Sequence, residues 1–180
     1  MTITLRHLVG TREPLDIVIA ALLNAKWTTP SGTSKPTIEA LSYIPSMDID
    51  EDMQTDPNII KISAINRNRL DAGEEPNGDD SHSWVTEIDI DVWSESVSLL
   101  QQYEDEINRI LWENRPNENV RLKKSNGVEA TLAQGTENSE IESFIDTEIS
   151  FEFLGGDGDG AQSRVSSQAT LTCLWFKLKT

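Results

Sequence analysis

SWVTEIDIDVWSESVSLLQQYEDEINRILWENRP, residues 83–116, changes its apolar period part-way along, and that change decides the fold. Trp84, Thr86, Ile88, Ile90 and Val92 alternate with Val85, Glu87, Asp89 and Asp91, the period of two expected of a strand with one buried and one wet face. From Ser94 the period becomes helical: Val97, Leu100, Tyr103, Ile107, Ile110 and Leu111 fall on one stripe, Ser94 or Ser96 is placed to cap, and Pro116 closes the helix. A strand running almost directly into an amphipathic helix is the structural centre of the chain, spanning residues 84–115.

Upstream, PLDIVIAALLNAKW (residues 14–27) predicts a helix. Pro14 suits its first turn, Asp16 favours its N-terminal dipole, and Leu15, Ile17, Val18, Ala21, Leu22 and Ala25 make a broad apolar face. Residues 28–36 read as a mobile loop and TIEALSYIP as a short alternating segment with Ile38, Ala40 and Ile44 inward. The Asp-dense residues 46–58 must be a loop, because so much like charge cannot be buried unpaired. NIIKISAINRNRL resumes strand character through Ile60, Ile62 and Ala64, and DAGEEPNGDDSH (71–82) is an exposed loop between strands.

Downstream, VRLKK and VEATLAQ predict a short strand pair around Ser125-Asn126-Gly127. FIDTEISFEF places Ile145, Thr147, Ile149, Phe151 and Phe153 on one face against Asp146, Glu148 and Glu152. With VSSQATLTCLWFKLKT after the LGGDGDGAQSR linker, it predicts an antiparallel hairpin over residues 144–178 with a flexible tip. The expected architecture is a single α+β domain over residues 1–180: an antiparallel or mixed sheet, two main helices packed on one side, and a long C-terminal β-hairpin.

Composition excludes several functions. Asp plus Glu number 31 against 15 Lys plus Arg, a net charge of −16 in 180 residues. Nucleic-acid backbones and anionic membranes both need clustered cations, so neither is an expected ligand. No apolar run approaches the roughly 20 residues of a membrane span, and MTITLRHLVGTREPLD lacks a signal-peptide layout, so the mature chain is expected to start here, inside the cell. One cysteine, Cys173, excludes an internal disulfide and any multi-cysteine zinc site.

Motifs of chemistry are weak. His82 beside Asp79 and Asp80 is one imidazole and two adjacent carboxylates, short of the four converging ligands of a structural metal site; it reads as a solvated loop residue. Cys173 has no histidine near it in sequence and reads as an ordinary strand residue. Asp48, Asp50 and Asp52 open like a calcium loop, but Met53 stands where the turn glycine belongs and Ile59 where the bidentate Glu belongs. GGDGDG (155–160) is one copy of a glycine–aspartate pattern that binds calcium only in arrays. No phosphate-cradling glycine loop, GxSxG or HExxH occurs. The expectation is a non-enzyme with no cofactor and no metal. Of the five tryptophans, Trp84 belongs to the inward face of its strand, while Trp27, Trp93 and Trp175 are the candidates for a protein interface.

The layout over residues 12–115, with a strand ending Ile90-Asp91-Val92-Trp93 that feeds SLLQQYEDEINRIL and a β-rich C-terminus, resembles the tail-terminator and tail-completion (neck) proteins of tailed viruses. The resemblance implies a non-enzymatic subunit of a six-fold ring in the virion, assembled in the host cytoplasm. Such a ring closes the tail tube and joins it to the head connector, with DNA passing through without specific binding and no membrane contact. On that reading Asp48, Asp50, Asp52, Asp79 and Asp80 are acidic channel or solvent-loop residues, and the acidity suits a virus of a salt-adapted host. The contrasting expectation is a monomeric acidic adaptor that engages a basic protein partner.

Overall fold

The strand with the strongest alternation sits in the middle of the sheet. The computed structural model describes residues 15–29, 33–40, 56–69, 82–115, 120–125, 129–134, 143–144, 149–157 and 164–177. Its elements in chain order are α1 (Leu15–Lys26), β1 (Thr37–Ala40), β2 (Ile59–Arg69), β3 (His82–Ser94), α2 (Val97–Glu113), β4 (Val120–Ser125), β5 (Glu129–Gln134), β6 (Ser143–Phe144), β7 (Glu152–Asp157) and β8 (Arg164–Lys177). The architecture is α+β. A mixed six-stranded sheet runs β1-β2-β3-β8, with β6 and β7 both bordering β8 at the far edge; β4 and β5 form a separate hairpin. Among the described strands of the sheet, β1 and β2 pair in parallel and the other pairs are antiparallel.

Register shows which residues share a face. Val92, Ile90 and Ile88 of β3 lie opposite Ile60, Ile62 and Ala64 of β2 and opposite Ser167, Ala169 and Leu171 of β8. All of these except Ala64 are buried, and the two helices cover them. Cys173 is buried on this same face, a packed strand residue as expected. On the opposite face Glu87, Asp89, Asp91 and Trp93 are half-buried, while Ile59 and Lys61 of β2 are buried. Trp84 belongs to the inward set by register, but its side chain lies outside the described residues.

The helix α2 buries Leu100, Tyr103, Ile107, Ile110 and Leu111, as the 3.6-residue spacing requires. Val97, expected on the stripe, is 48% exposed: it stands in the first turn, before the helix has settled onto the sheet. Ser96 is the N-cap, its Oγ accepting from Leu99 N–H at 3.3 Å. Ser94, the other expected cap, is turned inward.

In α1 every residue from Leu15 to Leu23 is buried, Asp16 included, where a one-sided face was expected. The reason is a second cover: the helix packs on the sheet and also against the β4–β5 hairpin. A helix apolar all round is stable only when enclosed. Ala25, expected inward, is exposed because the enclosure ends a turn earlier.

The C-terminal hairpin is β7–β8, with Phe153 opposite Ser167 and a bulge between Phe153 and Gly155. Its first arm differs from the expected continuous strand over 144–153: β6 and β7 are separate, and Ile149 between them is buried outside any strand. Strand β7 also runs into the glycines read as linker. Gly155 has φ +104°, a value that side-chain-bearing residues rarely adopt, and a Cβ on Gly156 would stand 2.8 Å from the Arg164 carbonyl oxygen. His82 opens β3 rather than ending a loop.

Candidate functional site

The sheet face away from the helices is built from the polar half of the β3 alternation. Period two sets Glu87, Asp89 and Asp91 in a row, and register brings Lys61 of β2 beside Asp91. Lys61 is only 2% exposed; its Nζ donates to Glu39 Oε2 of β1 at 2.8 Å. On the β8 side, Thr170 Oγ1 donates to Asp89 Oδ1 at 2.8 Å and Gln168 Nε2 to Asp89 Oδ2 at 3.4 Å. Burial raises the Asp91 carboxyl above the usual carboxylate range, and the Asp89 charge raises it further, while a Gln168 hydrogen bond pulls the other way. One carboxylate of this face is therefore reluctant to ionise.

A polar knot fixes the strand–helix unit. Asn58 is buried; its Oδ1 accepts from Ser94 Oγ at 3.1 Å and Glu95 N–H at 3.3 Å, and its carbonyl accepts from Thr37 N–H at 2.9 Å. Asp56 Oδ1 accepts from Asn58 N–H at 3.0 Å, and its Oδ2 accepts from the Thr37 hydroxyl. The residues read as the end of an acidic loop are thus a junction between β1, β2 and α2.

A second cluster joins the helices. Arg109 pairs with Glu106 at 2.6 Å and with Glu113, and its guanidinium also donates to the Lys26 carbonyl and Thr28 Oγ1, each at 3.3 Å. Glu106 Oε1 accepts from Thr28 N–H at 2.6 Å. Burial alone would raise the Glu106 carboxyl, but the Arg109 and Thr28 donors outweigh it and hold the carboxyl below its ordinary value, and Glu106 raises the Arg109 guanidinium in turn. The residues after α1, expected to be a mobile loop, are pinned: Tyr103 Oη donates to the Ser34 carbonyl at 3.3 Å and Lys35 Nζ to the Asn24 carbonyl at 3.0 Å.

The expected interface tryptophans are scattered. Trp27 lies half-buried against Tyr103, ring centroids 5.8 Å apart at 62°, and its indole N–H has no hydrogen-bond partner among the described residues. Trp93 is half-buried on the sheet face away from the helices, opposite the buried Ile59. Trp175 pairs with β3 by register, and its side chain lies outside the described residues, as do Asp48, Asp50, Asp52, Asp79, Asp80 and Ile44. Among the described residues, no three His, Cys, Asp or Glu side chains converge on a metal-sized site. Nor, among the described residues, is any helix long and apolar enough to cross a membrane.

The side chains that sequence reasoning missed are the exposed apolar ones: Trp112 at 64%, Phe153 at 55% and Leu154 at 56%. Trp112 falls off the α2 stripe, a signal visible in the sequence. Phe153 was expected on a buried face, and only the position of β7 at the sheet's edge exposes it. No protein-family model matches this chain, and no curated protein matches it.

Proposed function

We propose that the chain is a non-enzymatic structural subunit of a viral tail or neck, a tail terminator. In this reading it forms a ring, six-fold as in the proteins it resembles, that closes the tail tube and joins it to the head connector. It is assembled in the host cytoplasm and lets DNA pass without holding it. The observation that carries the reading is the layout: a central strand, β3, turning through two residues into α2, inside a mixed sheet with both helices on one face and a β-rich C-terminus. The charge of −16 supports a lumen that does not adhere to DNA, and apolar side chains left in water support lateral neighbours.

The acid row Glu87, Asp89 and Asp91 on the sheet face away from the helices favours the contrasting reading, a monomeric adaptor for a basic protein. Native mass spectrometry separates the two. A discrete ring-sized oligomer, six-fold for a terminator, is the expected result; a monomer at every concentration and salt, binding a basic partner one to one, supports the adaptor. Retarded migration of duplex DNA at moderate salt rules out the non-adhering channel.

A further inference from the structure

One row of residues crosses the sheet face away from the helices. Glu39 of β1 lies opposite Lys61 of β2, Lys61 opposite Asp91 of β3, and Asp91 opposite Gln168 of β8. Lys61 is the one buried cation among the described side chains, 2% exposed, and its neighbours in the row are carboxyls on both sides. One of them holds it: Nζ donates to Glu39 Oε2 at 2.8 Å. The other, Asp91, is its antiparallel partner. Residues directly opposite bring their Cβ atoms to about 5 Å, a gap that a lysine side chain spans by changing rotamer, with no backbone movement. The neighbouring pair on this face is apolar, buried Ile59 opposite half-buried Trp93.

A buried amine between two carboxyls has the parts of an amide condensation. The amine must lose its proton, and Glu39 is in contact to take it. The acid must keep its proton, and burial together with the Asp89 charge holds the Asp91 carboxyl protonated to higher pH than usual. Gln168 donates to the same carboxyl, which sets an N–H where negative charge gathers as an amine attacks. Asp89 does not compete, because it bonds Thr170 and Gln168 and lies opposite Ser63, a diagonal step from Lys61.

We propose that Lys61 and Asp91 join in an amide bond between β2 and β3, made by the chain itself with Glu39 as proton carrier. Nζ gives a proton to Glu39 and, as a neutral amine, attacks Cγ of protonated Asp91. Glu39 hands its proton to the departing hydroxyl, the C–O bond breaks, and one water leaves. A second Nζ proton passes through Glu39 to solvent. The products are a neutral amide and an ionised Glu39, with nothing oxidised or reduced. Strand pairing holds the two groups opposite one another, which removes the encounter that makes this condensation unfavourable between free molecules. Until the bond forms, Asp91 titrates as a carboxyl. The inference does not depend on the ring reading.

The test is the mass of the full chain, refolded and followed over time near neutral pH, then denatured. Wild type is expected to become lighter by one water. Its tryptic digest should hold a branched peptide joining Lys61 to Asp91, uncut after Lys61. Asp91→Ala is expected to keep its full sequence mass, and Glu39→Gln to condense at least tenfold more slowly, both with the circular dichroism of the wild-type fold. If Glu39→Gln fails to fold because Lys61 loses its counter-charge, Asp91→Ala, which leaves that pair intact, carries the comparison. Asp157-Gly158 and Asp159-Gly160 can also lose one water, by closing to a succinimide that mild base reopens, whereas the amide survives mild base. A wild type that stays at full mass, a loss of water that persists in Asp91→Ala, or a loss that mild base reverses overturns the bond. A folded Glu39→Gln that condenses at the wild-type rate overturns the part given to Glu39.

Discussion

Ile90 and Asp89 are neighbours in sequence and opposites in environment. Ile90 lies between Ile62 and Ala169 in register and is fully buried, whereas Asp89 faces Thr170 and Gln168 on the side away from the helices. Replacing Ile90 by Asp puts a carboxylate where no donor waits, at a cost on the order of 4 kcal/mol or more, a large part of a typical domain's stability. Asp89→Ser gives up two partly solvated hydrogen bonds and relieves repulsion with Asp91, so its cost is expected within about 1 kcal/mol. Urea unfolding of both variants checks the register; the reverse order would place β3 one residue out of step. Asp91 carries a pH signature of its own. Its pKa is higher folded than unfolded, so the native state holds the proton to higher pH, and the ionised side chain subtracts stability at neutral pH. As the pH falls through that raised value the penalty disappears. Asp91→Asn is therefore expected to raise the melting temperature at pH 7, with the gain vanishing below about pH 4, where wild-type Asp91 is protonated folded and unfolded.

The elements divide by how locally their signals are written. The period of two in β3 and the stripe of α2 were legible because each has one wet face, and that contrast is carried by the residues themselves. Helix α1 was legible as a helix, but its cover was not: Ile19, Ala20 and Leu23, off the expected face, are buried too, and the helix packs against the distant β4–β5 hairpin, which nothing near it in sequence names. The first arm of the C-terminal hairpin reads as an alternating strand and folds otherwise. The Asn108 amide takes both backbone hydrogen bonds of Ile149, doing what a neighbouring strand would do. The candidate surface was half legible, since Trp112 visibly leaves its stripe while Phe153 is exposed only by its place at the edge. Asn108→Leu strands the Ile149 N–H and carbonyl, a loss of about 1–3 kcal/mol. Hydrogen exchange is expected to quicken at Ile149 and through β7 while β3 and α2 stay protected; uniform quickening would mean that Asn108 supports the whole fold.

At the scale of the molecule, charge opposes assembly and apolar cover favours it. Bringing copies of a −16 chain together costs repulsion that fades as the screening length shrinks from about 10 Å at 0.1 M salt to about 3 Å at 1 M. Excluded salts strengthen apolar contact over the same range. The oligomer is expected to grow with salt and fall apart on dilution into low salt, by light scattering across the series. Assembly that weakens as salt rises would assign the interface to ion pairs instead of to apolar side chains.

Chain order gives the position of β8 a further meaning. Helix α1 is made early and is buried on every side from Leu15 to Leu23, yet the strand that joins β3 to the far edge is made late. At a synthesis rate of about 5–20 residues per second, α1 waits on the order of ten to thirty seconds for β8 to leave the ribosome. Through that interval Leu15–Leu23 has no finished sheet to enter, so the nascent chain is expected to need shielding of this helix until β8 is made. A ribosome-stalled chain ending at Ser163 is expected to be digested by protease throughout, and one long enough to release Lys177 from the exit tunnel to resist. Protection before β8 emerges would mean that β1, β2, β3 and the two helices form a folding unit by themselves.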